Sequence, residues 1–202
     1  MSYINEIATA LFKANCIKFG DFILTSGIRS PIYVDLRALL SHPKEFKLII
    51  EKSIQVVREL NFDFICGIES SGIPLTTALS LELEVPMVYV RKKVKGHGLM
   101  KAIEGEPKKN CKVLIVDDVV TTGGSIARAV ETLKSEDLAV SDAYVIVDRE
   151  QGAKEKLASM GIELKSLTTL TELVSTLGDI GLIDNGTVAK VLEYLVSYHV
   201  KG

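Results

Sequence analysis

Val113-Leu114-Ile115-Val116-Asp117-Asp118-Val119-Val120-Thr121-Thr122-Gly123-Gly124-Ser125 is an apolar run that ends in two carboxylates and then a loop of small, hydroxylated residues. Four consecutive large apolar residues suit a strand buried on both faces. Helical and strand patterns alternate on either side of them, which predicts an α/β fold with a central, mainly parallel sheet flanked by helices. Such sheets bind ligands beyond the carboxyl ends of their strands, where Asp117 and Asp118 fall. Thr121, Thr122, Gly123, Gly124 and Ser125 bring three hydroxyls, two glycines and a row of backbone N–H groups to the start of a helical pattern in Ile126, Ala127, Ala129, Val130 and Leu133. A helix N-terminus built this way can hold a phosphate dianion. Two acids cannot, but they accept hydrogen bonds from a vicinal diol. The two halves together fit a ribose 5-phosphate. The spacing is neither a Walker loop, which needs Gly-Lys-Ser/Thr, nor a dinucleotide loop, which needs G-x-G-x-x-G.

The totals bound the rest. At 202 residues the chain can fill one core and nothing forces a second domain, so residues 1–202 are read as a single unit. Hydrophobic residues at 47% and charged residues at 25% argue against disorder. A net charge of −2 gives no global attraction to nucleic acid or membrane, so any anion site must be local. Cys16, Cys66 and Cys111 form no CxxC pair, as expected for reduced thiols in a cytoplasmic protein. No apolar run approaches the roughly 18 residues of a membrane span, and the first dozen residues read as an amphipathic helix through Ile4, Ile7, Ala8, Leu11 and Phe12 rather than a signal peptide.

Along the chain, residues 19–27 and 30–37 read as a hairpin set apart from the main sheet, giving a small N-terminal hood formed mainly by about the first 40 residues. Pro43 opens a long helix. The first core strand, residues 62–68, ends in Glu69-Ser70-Ser71-Gly72, a second polar loop at a strand's carboxyl end. A helix through Leu75, Ala78, Leu79 and Leu81 leads to a strand at 86–90. The signature strand follows, with its helix to about Leu133, then strands at 143–147 and 163–167 and helices near 170–177 and 187–198. Between these elements, residues 91–101 carry five permanent cations and His97 with no acid, and Gly96 and Gly98 argue for a mobile loop. Such a run is commonly a solvated surface. Beside a phosphate site it could instead neutralise an anionic leaving group.

The 113–125 stretch resembles the PRPP-binding signature of the type I phosphoribosyltransferases. Arg91-Lys92-Lys93-Val94-Lys95-Gly96-His97-Gly98 is similar to the R-K-x-x-K-x-H-G loop of the orotate-specific members. Residues 19–37 resemble their F-G-x-F-x-L-x-S-G and S-P-x-Y-x-D-x-R motifs, and Asp148-Arg149-Glu150-Gln151-Gly152 their D-R-x-x-G segment. The likeness runs from about residue 18 to 152.

That resemblance implies a glycosyltransferase of pyrimidine (UMP) biosynthesis, transferring the phosphoribosyl group of PRPP to orotate to give orotidine 5'-monophosphate and pyrophosphate. It implies that Asp117 and Asp118 bind the ribose hydroxyls while Val119, Val120, Thr121, Thr122, Gly123, Gly124 and Ser125 form the phosphate subsite. Ser70, Ser71, Arg91, Lys92, Lys95 and His97 would face the pyrophosphate, with Lys95 or His97 as proton donor. Thr121, Arg149 and Tyr33 would meet the orotate, although Tyr33 could equally be ordinary packing. Mg2+ would be held mainly by substrate oxygens and water, with no protein metal cage. The likeness also implies a homodimer whose basic loop reaches the neighbouring site. Thr25, Ser71 and Gly96 depart from the pattern, standing where relatives often carry two lysines and an acid. A transferase for another base would share the phosphate loop but has no reason to carry the other motifs. A PRPP-sensing transcriptional regulator would need a helix-turn-helix extension and a basic face, against the short N-terminal segment and the net charge of −2.

Overall fold

A computed structural model describes residues 2–23, 29–92 and 102–199. Helix α1 (Tyr3–Lys13) starts where Ser2 Oγ accepts the Asn5 N–H at 3.4 Å, and its apolar stripe of Ile7, Ala8 and Leu11 is fully buried. Strands β1 (Ile17–Ile23) and β2 (Arg29–Val34) pair antiparallel as a separate two-stranded sheet, with Ile17 opposite Val34 and a register shift between Phe19 and Phe22. This hairpin is the hood, whereas α1 packs on the body of the molecule, against α2 (Pro43–Val57) and α6 (Leu170–Asp179). A 3-10 turn at Leu36–Ser41 replaces the end of the second expected strand, because Asp35 takes an N-cap position and accepts the Arg37 N–H at 3.2 Å. Pro43 stands in the first turn of α2, where its missing N–H is not needed.

Among the described residues the main sheet has six strands in the order β5-β4-β3-β6-β7-β8: β3 (Phe64–Ile68), β4 (Met87–Val90), β5 (Ile103–Glu104), β6 (Val113–Val120), β7 (Asp142–Asp148) and β8 (Glu163–Thr169). All neighbours are parallel except the short edge strand β5, which runs against β4. That edge strand and the short helix α5 (Ala153–Ala158) carry too few residues to show a period, so the apolar pattern announces neither. Helices α1, α2, α3 (Gly72–Leu83), α6 and α7 (Asn185–His199) bury one face of the sheet, and α4 (Gly124–Ser135) with α5 buries the other. This is the two-sided cover that the continuous apolar strands required.

The signature strand does not stop at its acids. Paired with β7, with Asp117 opposite Val145 and Val120 opposite Asp148, it continues as strand to Val120. Its side-chain alternation changes phase on the way. Leu114 and Val116 pack with the α1/α2 layer and Val113 and Ile115 with the α4 layer, yet Val119 joins the first and Val120 the second. In an unbroken strand, adjacent side chains point to opposite faces.

Candidate active site

The carboxyl ends of β3, β6 and β7, together with the hood strand β2, enclose a cavity of about 570 Å³. Asp117, Asp118, Val119, Thr121, Thr122 and Ser125 line it from the signature segment, Ser70 and Ser71 from the loop after β3, Tyr33 from the hood, and Arg149 and Gln151 from the end of β7. Both neighbouring aspartates reach this space at the strand's carboxyl end, Asp117 also bordering the cleft beside α4 and Asp118 the one beside Leu36 and Leu75. Asp117 is 7% exposed and its Oδ1 accepts the Asp118 N–H at 3.0 Å, while Asp118 Oδ1 accepts the Val119 N–H at 2.9 Å. Burial, then the adjacent Asp118 charge, holds the Asp117 carboxyl well above the usual carboxylate range.

A second cleft of about 280 Å³ runs from Asp117 along residues 119–126 to Arg128. Gly123 turns the chain into α4 at φ 74°, a left-handed conformation that glycine adopts without steric cost. The N–H groups of the first helical turn have no acceptor within the helix, and no acid stands in that turn to compete for an anion. Arg128, one turn on, donates to Ser125 Oγ at 3.4 Å and adds a cation beside the loop. Val120 contributes through its backbone: its carbonyl accepts the Arg149 N–H at 3.0 Å and ties the ends of β6 and β7 together.

Ser70 and Ser71 lead into the N-terminus of α3. Gly72 is pressed against the signature strand, since a Cβ there would stand 2.8 Å from the Val116 carbonyl oxygen and 3.2 Å from Asp117 Oδ1. Gly72→Ala is therefore expected to lower stability by about 1–3 kcal/mol, read as a lower urea midpoint with an unchanged slope. Glu69 Oε2 accepts the Lys92 N–H at 2.8 Å and fastens the start of the basic stretch to this loop. Lys92 lines the cavity. Arg91 is not among the lining residues; its Nε pairs with Glu104 on β5 at 3.0 Å. Lys95 and His97, like Thr25, lie outside the described residues.

At the end of β7, Arg149 is 4% exposed and donates from Nε to Gln151 Oε1 at 3.0 Å. Tyr33 is half-buried, with its ring centroid 5.6 Å from that of Phe22 in a tilted pair. Asp35 and Arg37 also line the cavity, joined through both oxygens at 2.6 and 2.8 Å, and Arg37 holds the Asp35 carboxyl below the usual range. Sequence reasoning assigned no role to Asp35, Arg37, Glu69, Arg128 or Gln151. The signal was there for three of them, since Asp35 and Arg37 stand in the S-P-x-Y-x-D-x-R motif and Gln151 in D-R-x-x-G. Among the described residues no group of three or more His, Cys, Asp or Glu side chains could hold a metal ion, and no helix is long and apolar enough to cross a membrane.

The chain matches the phosphoribosyl transferase domain family over residues 35–174. It is 39% identical to the orotate phosphoribosyltransferase of Sulfolobus acidocaldarius, over 95% of this chain and 96% of that protein. The solved orotate phosphoribosyltransferase of Aeropyrum pernix superposes with a TM-score of 0.78 at 38% identity, covering 88% of this chain and 99% of that one. The UMP synthase of Leishmania donovani superposes at 0.89 with 36% identity over 97% of this chain, which spans 43% of that longer protein.

Proposed function

The chain belongs to the orotate phosphoribosyltransferases, and from that membership we propose that it transfers the 5-phosphoribosyl group of PRPP to orotate, forming orotidine 5'-monophosphate and pyrophosphate. The observation that carries the reading is one cavity lined by the Asp117 and Asp118 carboxylates, by the loop that opens α4 and by the buried Arg149. A C–N bond to orotate forms as the C–O bond to the diphosphate breaks, through an oxocarbenium-like transition state.

Asp117 and Asp118 accept hydrogen bonds from the ribose hydroxyls, fix the ring and favour positive charge on it. Residues 121–125 hold the 5-phosphate on backbone N–H groups. Ser70, Ser71 and Lys92 face the diphosphate, joined by Arg91 once it leaves Glu104, and Lys95 or His97 delivers the proton to the leaving group. Arg149 takes the orotate carboxylate in the plane of its guanidinium, with Thr121 and Tyr33 against the base. The carboxylate pair and the hydroxyl-lined loop suit a hard cation held chiefly by substrate oxygens and water, and Mg2+ there would neutralise diphosphate charge. We take residues 1–202 as one catalytic domain, acting as a homodimer with shared sites. The cytoplasm is its proposed compartment, supported by three unpaired cysteines, of which Cys66 is pushed by burial up to about 12.

Mixing the protein with Mg2+, PRPP and orotate should deplete orotate absorbance, and no depletion would refute the reading. In the same assay Arg149→Ala should raise the KM for orotate about 100-fold and leave that for PRPP within about two-fold, since one charge-assisted bidentate contact is lost. Equal rises in both constants would remove Arg149 from the base subsite.

A further inference from the structure

Gln151 stands between two partners that allow its amide one orientation. Arg149 Nε donates to Gln151 Oε1 at 3.0 Å, and Gln151 Nε2 donates to the Tyr194 hydroxyl on α7 at 3.1 Å. A guanidinium has no acceptor, so the amide oxygen must face the arginine and the NH2 group must face the tyrosine. The cluster is largely buried: Arg149 is 4% exposed, Gln151 3% and Ser30 1%, with Tyr194 half-buried. From the hood, Ser30 Oγ donates to the Ile32 carbonyl at 2.7 Å and accepts from Arg149 Nη2 at 3.5 Å. The guanidinium is thus gripped at Nε by the last helix, through Gln151, and at Nη2 by the hood. Helix α7 itself packs on β2, so the two grips form one support.

The placement of these residues in the chain is informative. Arg149 and Gln151 fall inside the segment that matches the shared family domain, residues 35–174, whereas Ser30 and Tyr194 fall outside it on either side. The shared domain carries the arginine. The flanking segments set how it lies.

We propose that Gln151 and Tyr194 are positioning residues for base recognition, holding the Arg149 guanidinium in the plane in which it meets the carboxylate of the base. The inference rests on the proposed function, because it needs a planar carboxylate substrate. A guanidinium forms two parallel bonds to a carboxylate only when the two planes coincide, and a rotation that spoils this costs affinity for the base alone. Tyr194→Phe removes the acceptor that fixes the amide and leaves a buried NH2 group unsatisfied. Gln151→Glu sets a second carboxylate against the same guanidinium, which then competes with the substrate.

The test is steady-state kinetics on the full chain, varying orotate at saturating PRPP and the reverse, with melting temperatures recorded beside them. Tyr194→Phe should raise the KM for orotate about five-fold with the KM for PRPP and kcat little changed, the size of one buried hydrogen bond. Gln151→Glu should raise it by about 30-fold or more while the melting temperature holds or rises, because the new pair is charge-assisted. A merely structural role would lower the melting temperature and move both constants together. Constants that rise together, or an unchanged KM for orotate in both variants, would overturn the proposal. Wild-type protein that converts PRPP with another base but not with orotate would overturn the proposed function, and this inference with it; an active wild type with indifferent variants overturns the inference alone.

Discussion

The double variant Asp117→Asn, Asp118→Asn should melt above the wild type when no ligand is present, yet show no rise in melting temperature when PRPP and Mg2+ are added. Both halves follow from the same carboxylates. Asp117 is 7% exposed and lies against Asp118, so ionising it puts a charge in a buried place beside a like charge. Its folded-state pKa lies above the unfolded value. The stabilising contribution of its proton is therefore fully present below the unfolded range and is lost as pH rises through the folded value, leaving the wild type at a disadvantage near pH 7. Asparagine keeps the Oδ1 acceptor for the Asp118 N–H without that charge. A gain of a few degrees, roughly 1 kcal/mol for a chain of this length, is expected near pH 7, shrinking as the pH falls toward 4. Binding changes in the opposite sense. Two charge-assisted contacts to the ribose hydroxyls are replaced by neutral ones, and PRPP affinity should fall by about 10³-fold or more. Calorimetry showing retained PRPP binding would mean that the 113–125 segment has been misread.

Lys95→Ala should lower kcat by about 10³-fold, the middle of the usual range for proton donation, with the melting temperature unchanged. The position of the described neighbours supports a role at the diphosphate. The Lys92 N–H is fastened to Glu69, immediately before Ser70 and Ser71, and the Arg91 N–H donates to the Ala102 carbonyl at 2.9 Å. Of the two flanking residues, Lys92 lines the cavity. A cation placed there would offset the negative charge that the diphosphate gains as the C–O bond breaks. Rapid-quench measurement of the chemical step would separate this loss from slower product release. Near-normal turnover would move the proton to His97.

The contrast between these two predictions marks what the chain's linear order could tell. The carboxylate pair and the phosphate loop are thirteen consecutive residues, and their chemistry needs only a strand's end and a helix's start, both fixed by local apolar pattern and glycine placement. The hairpin and the two-sided sheet were legible for the same reason. Strand β5 and helix α5 were not, since two and six residues show no period and exist only because β4 and β8 offer them a surface.

By itself, then, the sequence determined the α/β class, the stretch proposed to hold the ribose phosphate and, through R-K-x-x-K-x-H-G and D-R-x-x-G, the family to which the chain belongs. The tertiary structure alone decided which side chains share a space. It brought two adjacent aspartates, the serines after β3 and the hood to one cavity. It paired Arg91 with Glu104 across a strand edge. It also brought Ser30 and Tyr194, 119 residues before and 43 residues after their respective partners, onto the Arg149 and Gln151 pair. Side-chain orientation at a cavity depends on how separate elements pack, a collective outcome of burying both faces of the sheet, and no single segment contains that information.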